Sequence, residues 1–138
     1  MTKNILVVGS LNMDTVINVT RLPKWGETVL ASSIGHFPGG KGANQAVAVA
    51  RLGSIVDFLG CVGNDEAGVA LLENLKRNNV GVDQVKAESD VPTGTAWIMV
   101  DKNGDNTICV YPGANGTLSP DRVRKAARLD GVDAVVAS

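Results

Sequence analysis

Nine consecutive residues constrain this chain most: Pro38-Gly39-Gly40-Lys41-Gly42-Ala43-Asn44-Gln45-Ala46, running directly into Val47-Ala48-Val49-Ala50-Arg51-Leu52-Gly53. Glycine lets a backbone come closer to a neighbouring chain or a ligand than any residue with a Cβ. The alanine- and valine-rich run behind the turn predicts a buried helix, with Gly53 standing where a helix C-terminal cap is expected. A glycine turn that opens a helix aims unpaired N–H groups and a positive dipole end at whatever lies in front. That arrangement suits a polar or anionic small molecule and does not specify one.

Two nucleotide-binding readings of this turn fail on residue identity. A Walker-type phosphate loop needs a Ser or Thr after its Lys to hold Mg²⁺, and Gly42 stands there. A dinucleotide fingerprint needs a further glycine where Gln45 and Ala46 stand. A plain packing turn between helix and sheet remains, although such a turn has no use for Lys41 or Asn44.

The remaining pattern is that of an α/β protein. Ile5-Leu6-Val7-Val8 is a continuous apolar run ending at Gly9-Ser10, as expected of a strand covered on both faces in a parallel sheet. Ser10-Leu11-Asn12-Met13-Asp14 follows at the strand's end, where open α/β sheets place ligands. Asn12 and Asp14 there offer an amide and a carboxylate suited to sugar hydroxyls, against the simpler reading of Asn/Asp turn chemistry. Thr15–Val19 and Thr28–Phe37 read as further strands, the second with Gly35 as a bulge or bend, separated by a Pro- and Gly-punctuated turn over 21–27.

Ile55–Cys61 is strand-like, and Asp65 is placed to cap a helix from Glu66 to about Asn79 whose inner face is Val69, Leu72 and Leu75. Val82–Ala87 is a short extended segment. Thr95–Asp101 and Asn106–Tyr111 flank an Asn103-Gly104 hairpin signal, and Ser119-Pro120 opens a helix through Arg128. Ala134–Ala137 begins a strand with no turn after it, so the sequence reads as a piece of a longer chain.

Composition excludes several partners. Thirteen basic residues against fourteen acidic give a net charge of −1 with no basic run, which argues against nucleic acid and anionic membranes. No apolar stretch approaches the ~20 residues that span a bilayer, and the N-terminal run lacks a signal-peptide cleavage site. Cys61 and Cys109 fit no metal-ligand spacing, so no metal site is expected and a cytoplasmic setting with free thiols is. His36, the single histidine, has no acid, Ser or Cys partner nearby, and Trp25 and Trp97 are expected to pack, with a ligand or another subunit as the alternative contact for Trp97 in its alternating strand.

Gly9-Ser10-Leu11-Asn12-Met13-Asp14, Pro23 with Gly26-Glu27-Thr28, the Gly39–Ala46 block, the spacing of Gly53 and Gly63, and Gly113-Ala114-Asn115 together carry a family likeness. The chain resembles the N-terminal portion of the ribokinase-type (PfkB) carbohydrate kinases, a family that includes fructokinases and adenosine kinase. The likeness extends over essentially all 138 residues. Its Gly-Gly-Lys-Gly-Ala-Asn-Gln-Ala block is specific and lies nearer the ribokinase branch than adenosine kinase.

The resemblance implies a three-layer α/β sandwich with a small projecting β-sheet lid, built here from strands around 15–19, 28–37 and 95–111. It implies transfer of the ATP γ-phosphate to a sugar hydroxyl, the 5-hydroxyl of D-ribose, with Mg²⁺ and a monovalent cation such as K⁺. Asn12 and Asp14 would bond the sugar, with Met13 lining the pocket between them. Gly40, Gly42, Ala43 and Asn44 would wrap the same sugar, Lys41 would reach toward the transferred phosphoryl group, and Ala96 and Ile98 would be apolar contacts from the lid. A homodimer through the lid strands is implied.

The family's Gly-Ala-Gly-Asp turn, which supplies the general base, has no counterpart in residues 1–138. The nucleotide pocket is likewise expected in an absent C-terminal half, so no catalytic residue is expected here and the chain alone should be inactive. Deoxyribose, fructose or a nucleoside are alternative substrates. A non-catalytic sugar-binding module is the alternative from a different class.

Overall fold

The computed structural model describes residues 1–138 and divides them between two four-stranded sheets. The first is entirely parallel, with strand order β5-β4-β1-β8, where β1 is Asn4–Val8, β4 Ile55–Gly63, β5 Val80–Glu88 and β8 Ala134–Ala137. The second has the order β3-β2-β6-β7, from β2 (Asn12–Val19), β3 (Ala31–Gly39), β6 (Gly94–Val100) and β7 (Asn106–Tyr111). In that sheet β2 pairs antiparallel with β3 and parallel with β6, and β6 and β7 form the Asn103-Gly104 hairpin.

The central strands β1 and β4 are buried on both faces, which is why they are nearly continuous apolar runs, while β5 and β8 at the edges are only partly buried. Helices α1 (Lys41–Arg51) and α2 (Glu66–Arg77) lie on one face. There Val7, Val56, Phe58 and Val62 meet Ala43, Ala46, Leu71 and Leu75, all buried. Leu6, Leu59 and Cys61 alternate to the other face and are also buried. A short helix α3 (Pro120–Ala126) lies over that face, sharing one crevice with Leu59 and Cys61 and another with Val8 and Ala137. The result is a three-layer α/β sandwich, as expected.

The chain leaves β1 toward β4 and β5 on one side and returns as β8 on the other, so the carboxyl end of β1 is a topological switch point. The second sheet departs from that same end through Gly9-Ser10-Leu11. No helix is long and apolar enough to cross a membrane. Cys61 is a buried free thiol and Cys109 an exposed one.

Several expectations are corrected. Val69 is exposed; the inner face of α2 is Gly68, Leu71, Leu72 and Leu75, one i, i+3, i+4, i+7 stripe displaced from the expected one. Strand β3 starts at Ala31 rather than Thr28, and α3 ends at Ala126 rather than Arg128. Gly35 is not a bulge. It pairs regularly with Val16, and the exposed Phe37 ring folds back to within 2.8 Å of where a Cβ would stand. The irregularity lies instead between Asn18 and Val19. Trp25 does not pack but is fully exposed on the β2–β3 turn, which Glu27 organises by accepting from the Arg21 guanidinium and from the Lys24 amide at 2.9 Å.

Asp65 caps α2 as expected and does more. One carboxylate oxygen accepts from the Gly68 amide at 2.8 Å and the Thr93 hydroxyl at 2.5 Å, and the other from the Thr93 amide at 2.8 Å. The Thr93 hydroxyl oxygen in turn accepts from the Gly63 amide at 2.9 Å. One carboxylate thus ties the β4–α2 turn to the segment that delivers β6. Burial works to raise the Asp65 pKa, and the Thr93 and Gly68 bonds outweigh it, holding the carboxyl below its ordinary value of 3.8. A depressed pKa stabilises the fold above the ordinary aspartate range, and that contribution is lost as pH falls through the folded-state value. Asp65→Ala should destabilise the protein by about 2 kcal/mol at pH 7, one lost cap plus one stranded buried amide. In urea unfolding curves the difference from wild type should shrink below about pH 4; an equal difference at pH 3 and 7 would contradict the assignment.

Candidate functional site

Asn12 and Asp14 lie in β2 itself, not in a loop after β1, so the strand's two-residue period decides which side chains share a face. Asn12, Asp14 and Val16 point one way. Across the ladders they are joined by Gly39, Phe37 and Gly35 from β3 and by Gly94, Ala96 and Ile98 from β6. Ala96 is buried beside Asp14, and Ile98, half-buried, is the next residue outward. Met13 points to the opposite face, where it packs against the core. It does not line the space between Asn12 and Asp14, because alternation in a strand forbids it.

The glycine turn reaches this face from below. Gly40 is the N-cap of α1 with φ 96°, a conformation that excludes ordinary side chains. A Cβ there would lie 2.5 Å from the Ser10 carbonyl oxygen, and a Cβ on Gly42 would lie 2.8 Å from the Gly9 Cα. A Cβ on Gly39 would overlap the Asp14 carboxylate. The first turn of α1 therefore sits against the β1–β2 link, backbone on backbone. Its amides are partly committed: Ala43 N–H donates to Ser10 O at 3.1 Å and Asn44 N–H to Gly40 O at 2.9 Å. The amides of Lys41 and Gly42 are not. The Lys41 and Asn44 side chains are exposed, whereas the Ala43 methyl is buried in the core and cannot wrap a ligand.

Asp14 and Asp65 make an instructive contrast. Asp65 is saturated with protein donors; Asp14 accepts no hydrogen bond and joins no ion pair within the chain. Burial alone pushes the Asp14 carboxyl pKa upward. A partly buried carboxylate without protein donors is open to hydroxyl donors from solvent or a ligand. Asn12 beside it is held by Asn115, whose Nδ2 donates to Asn12 Oδ1 at 2.8 Å. The Asn12 Nδ2 is left without a protein partner. The face thus presents a donor and an acceptor side by side, floored by glycine backbone and walled by Ala96 and Ile98. Such a surface suits a small polyhydroxylated molecule.

Residues missing from the sequence reading are Asn115 as the holder of Asn12, Gly94 and Phe37. Gly94 pairs with Asn12, and a Cβ on it would collide with the Asn115 amide and Asn12 Oδ1, so its hydrogen makes room for that contact. His36 lies on the reverse face, its Nδ1 3.1 Å from the Thr15 hydroxyl. A cavity of about 590 Å³ lies at the opposite end of the parallel sheet around Asn4, Ile55 and Gly131, and contains none of these groups. No three His, Cys, Asp or Glu side chains converge anywhere in residues 1–138.

Comparison with known proteins agrees with this reading of the fold. The profile of the pfkB family carbohydrate kinases matches residues 2–137. The chain belongs to the pfkB family of carbohydrate kinases. It is 46% identical over 135 residues to a ribokinase of Bacillus subtilis, covering 97% of this chain and 46% of that protein. It is 42% identical over 125 residues to a ribokinase of Mus musculus, covering 91% of this chain and 39% of that protein. Among solved structures it matches Arabidopsis thaliana ribokinase complexed with ribose and ATP, with a TM-score of 0.82, 34% identity, and coverage of 99% of this chain and 45% of that one. The chain spans less than half the length of these relatives.

The close approach of α1 to the β1–β2 link is the most exacting geometric requirement here. Gly42→Ala sets a methyl against Gly9 backbone, which cannot rotate away. It should destabilise the protein by about 1–3 kcal/mol, measured as a lowered urea midpoint. An unchanged midpoint would show that the two backbones are not in contact.

Proposed function

We propose that this chain is the sugar-binding side of an ATP-dependent sugar kinase that phosphorylates the 5-hydroxyl of D-ribose. The observation that carries the proposal is the pairing of a partly buried Asp14 carboxylate, which accepts nothing from the chain, with an oriented Asn12 amide on one face. A ribose hydroxyl both donates and accepts, so it completes the two groups at once: its hydrogen goes to Asp14 and its oxygen accepts from Asn12.

The other residues follow from their positions. Gly40 and Gly42 let α1 backbone approach the sugar, Asn44 adds its amide from the first turn, and Ala96 and Ile98 cover the apolar side of the ring. Lys41, exposed and outside any ion pair, extends toward the phosphoryl group being transferred. Met13 and Ala43 have no part, both being committed to the core. Phosphoryl transfer also needs a general base, an anion hole and an ATP pocket. No such set is proposed within 1–138; these parts belong to the remainder of a protein as long as the relatives. Mg²⁺, which neutralises phosphate charge, and K⁺ would be held there too.

The second sheet is proposed as a lid over the sugar and as the contact in a homodimer. Supporting this, it exposes apolar side chains on both faces, including Phe37, Ile108 and Val110 on one and Ile34, Trp97 and Tyr111 on the other.

The test is ATP-dependent phosphorylation by the full-length protein across D-ribose, deoxyribose, fructose and nucleosides. D-ribose should give the highest kcat/KM; another sugar in first place would correct the substrate, and no turnover of any would leave a binding module. Asp14→Asn should lower kcat/KM for ribose at least roughly 100-fold, since it replaces a charged acceptor by a neutral amide. Because burial raises the Asp14 pKa, ribose binding should weaken as pH falls through a value above the ordinary 3.8 of aspartate. Residues 1–138 alone should transfer no phosphate, and measurable turnover by them would overturn the division of the site.

A further inference from the structure

Asn115 lies 103 residues from Asn12 in sequence, yet its side chain makes three hydrogen bonds at the start of β2. Its Oδ1 accepts from the Leu11 amide at 2.9 Å. Its Nδ2 donates to the Leu11 carbonyl at 2.9 Å and to Asn12 Oδ1 at 2.8 Å. The direction of every bond follows from the first. A backbone N–H can only donate, so the Asn115 atom facing it must be the oxygen. The nitrogen then takes the other side, and with one hydrogen on the Leu11 carbonyl its second is aimed at Asn12. An N–H pointing at Asn12 requires that residue to present its own oxygen. Asn12 is thereby left with its Nδ2 toward the ligand face.

We infer that Asn115 is a positioning residue for substrate recognition: it locks Asn12 in the rotamer that shows a donor, never an acceptor, to the sugar. The consequence is polarity. An amide side chain in isolation turns over between its two orientations and can serve a ligand either way; a locked one, next to an acceptor-only carboxylate, accepts ligands in one hydrogen-bond sense. The lock reaches back to the main chain, whose polarity cannot change, and Gly94 keeps the space for it clear. The segment Gly113–Thr117 is therefore part of the recognition apparatus although it contributes no group of its own to the ligand face. Its position is secured separately: Ala114 N–H donates to Pro92 O at 2.8 Å, and Thr117 and Arg122 bond Glu88 at 3.0 and 2.6 Å.

This inference rests on the proposal that Asn12 and Asp14 grip the sugar. The test is steady-state kinetics of the full-length protein on ribose with Asn115→Asp, alone and in an Asn12→Ala background. The substituted carboxylate is isosteric with the amide and still accepts from the Leu11 N–H, but it cannot donate to Asn12, which turns over and shows its oxygen. The expected result is an increase in ribose KM of about tenfold, one hydrogen bond's worth, with kcat changed less than about threefold. In the Asn12→Ala background the same change should alter KM less than about twofold. An equal effect in both backgrounds would overturn the inference, since Asn115 would then act only on the fold. Asn12→Asp provides a second route with Asn115 intact. Its carboxylate still accepts from Asn115 but has no donor for the sugar, so KM should rise at least about tenfold, and an unchanged KM would overturn the lock. Should Asn12→Ala and Asp14→Ala both leave ribose KM unchanged, the site reading itself fails, and that outcome is distinct from an uncoupled Asn115.

Discussion

The arrangement in front of Asn12 and Asp14 hangs on the approach of two backbones, Gly9 at the end of β1 and Gly42 in the first turn of α1. With a Cβ on either, the separation would fall to 2.8–2.9 Å from the other's Cα, and the helix would have to withdraw. Withdrawal would move the α1 amides away from the β1–β2 link and open the space in front of Asn12 and Asp14. The switch in strand order at β1 makes this end of the sheet a natural crevice. The glycines let a helix end fill one side of it without blocking it. The turn is thus less an anion cradle than a floor.

On that floor the two polar groups are prepared in opposite ways. Asn12 is fixed by a chain of hydrogen bonds that begins at main-chain atoms of Leu11 and passes through Asn115. Asp14 is partly buried and accepts no hydrogen bond from the chain, so its oxygens stay open to solvent or a ligand. Asp65 is the control within the same molecule, a carboxylate satisfied by Thr93 and Gly68 and used to hold the fold. One carboxylate is occupied with structure; the other accepts nothing from the chain, which is what supports the proposal that a ligand meets it.

Local patterns made most of the fold legible. The apolar run at Ile5–Val8, the Asp65 cap, the Asn103-Gly104 hairpin and the glycine turn each announced their structure through side-chain chemistry within a few residues. What stayed hidden depended on knowing where a strand starts or on contacts far apart in sequence. Reading Asn12–Asp14 as a loop concealed the alternation that turns Met13 into the core. Gly35 looked like a bulge because nothing in the sequence says that the Phe37 ring folds across it. Asn115 was quoted in a motif without a role, since its partners lie 103 and 104 residues away. Trp25 carried the ordinary expectation for a tryptophan, while the bidentate Arg21–Glu27 pair holds its turn together without it.

The central claim is that the Asn12–Asp14 face, and not the cavity at the other end of the sheet, receives the sugar. The most direct measurement is amide chemical-shift mapping of the isotope-labelled full-length protein titrated with D-ribose. The shifts should gather at Asn12, Asp14, Gly40–Asn44, Ala96 and Ile98, with a smaller response at Asn115. Shifts gathered instead around Asn4, Ile55 and Gly131, with Asn12 and Asp14 unmoved, would contradict the claim.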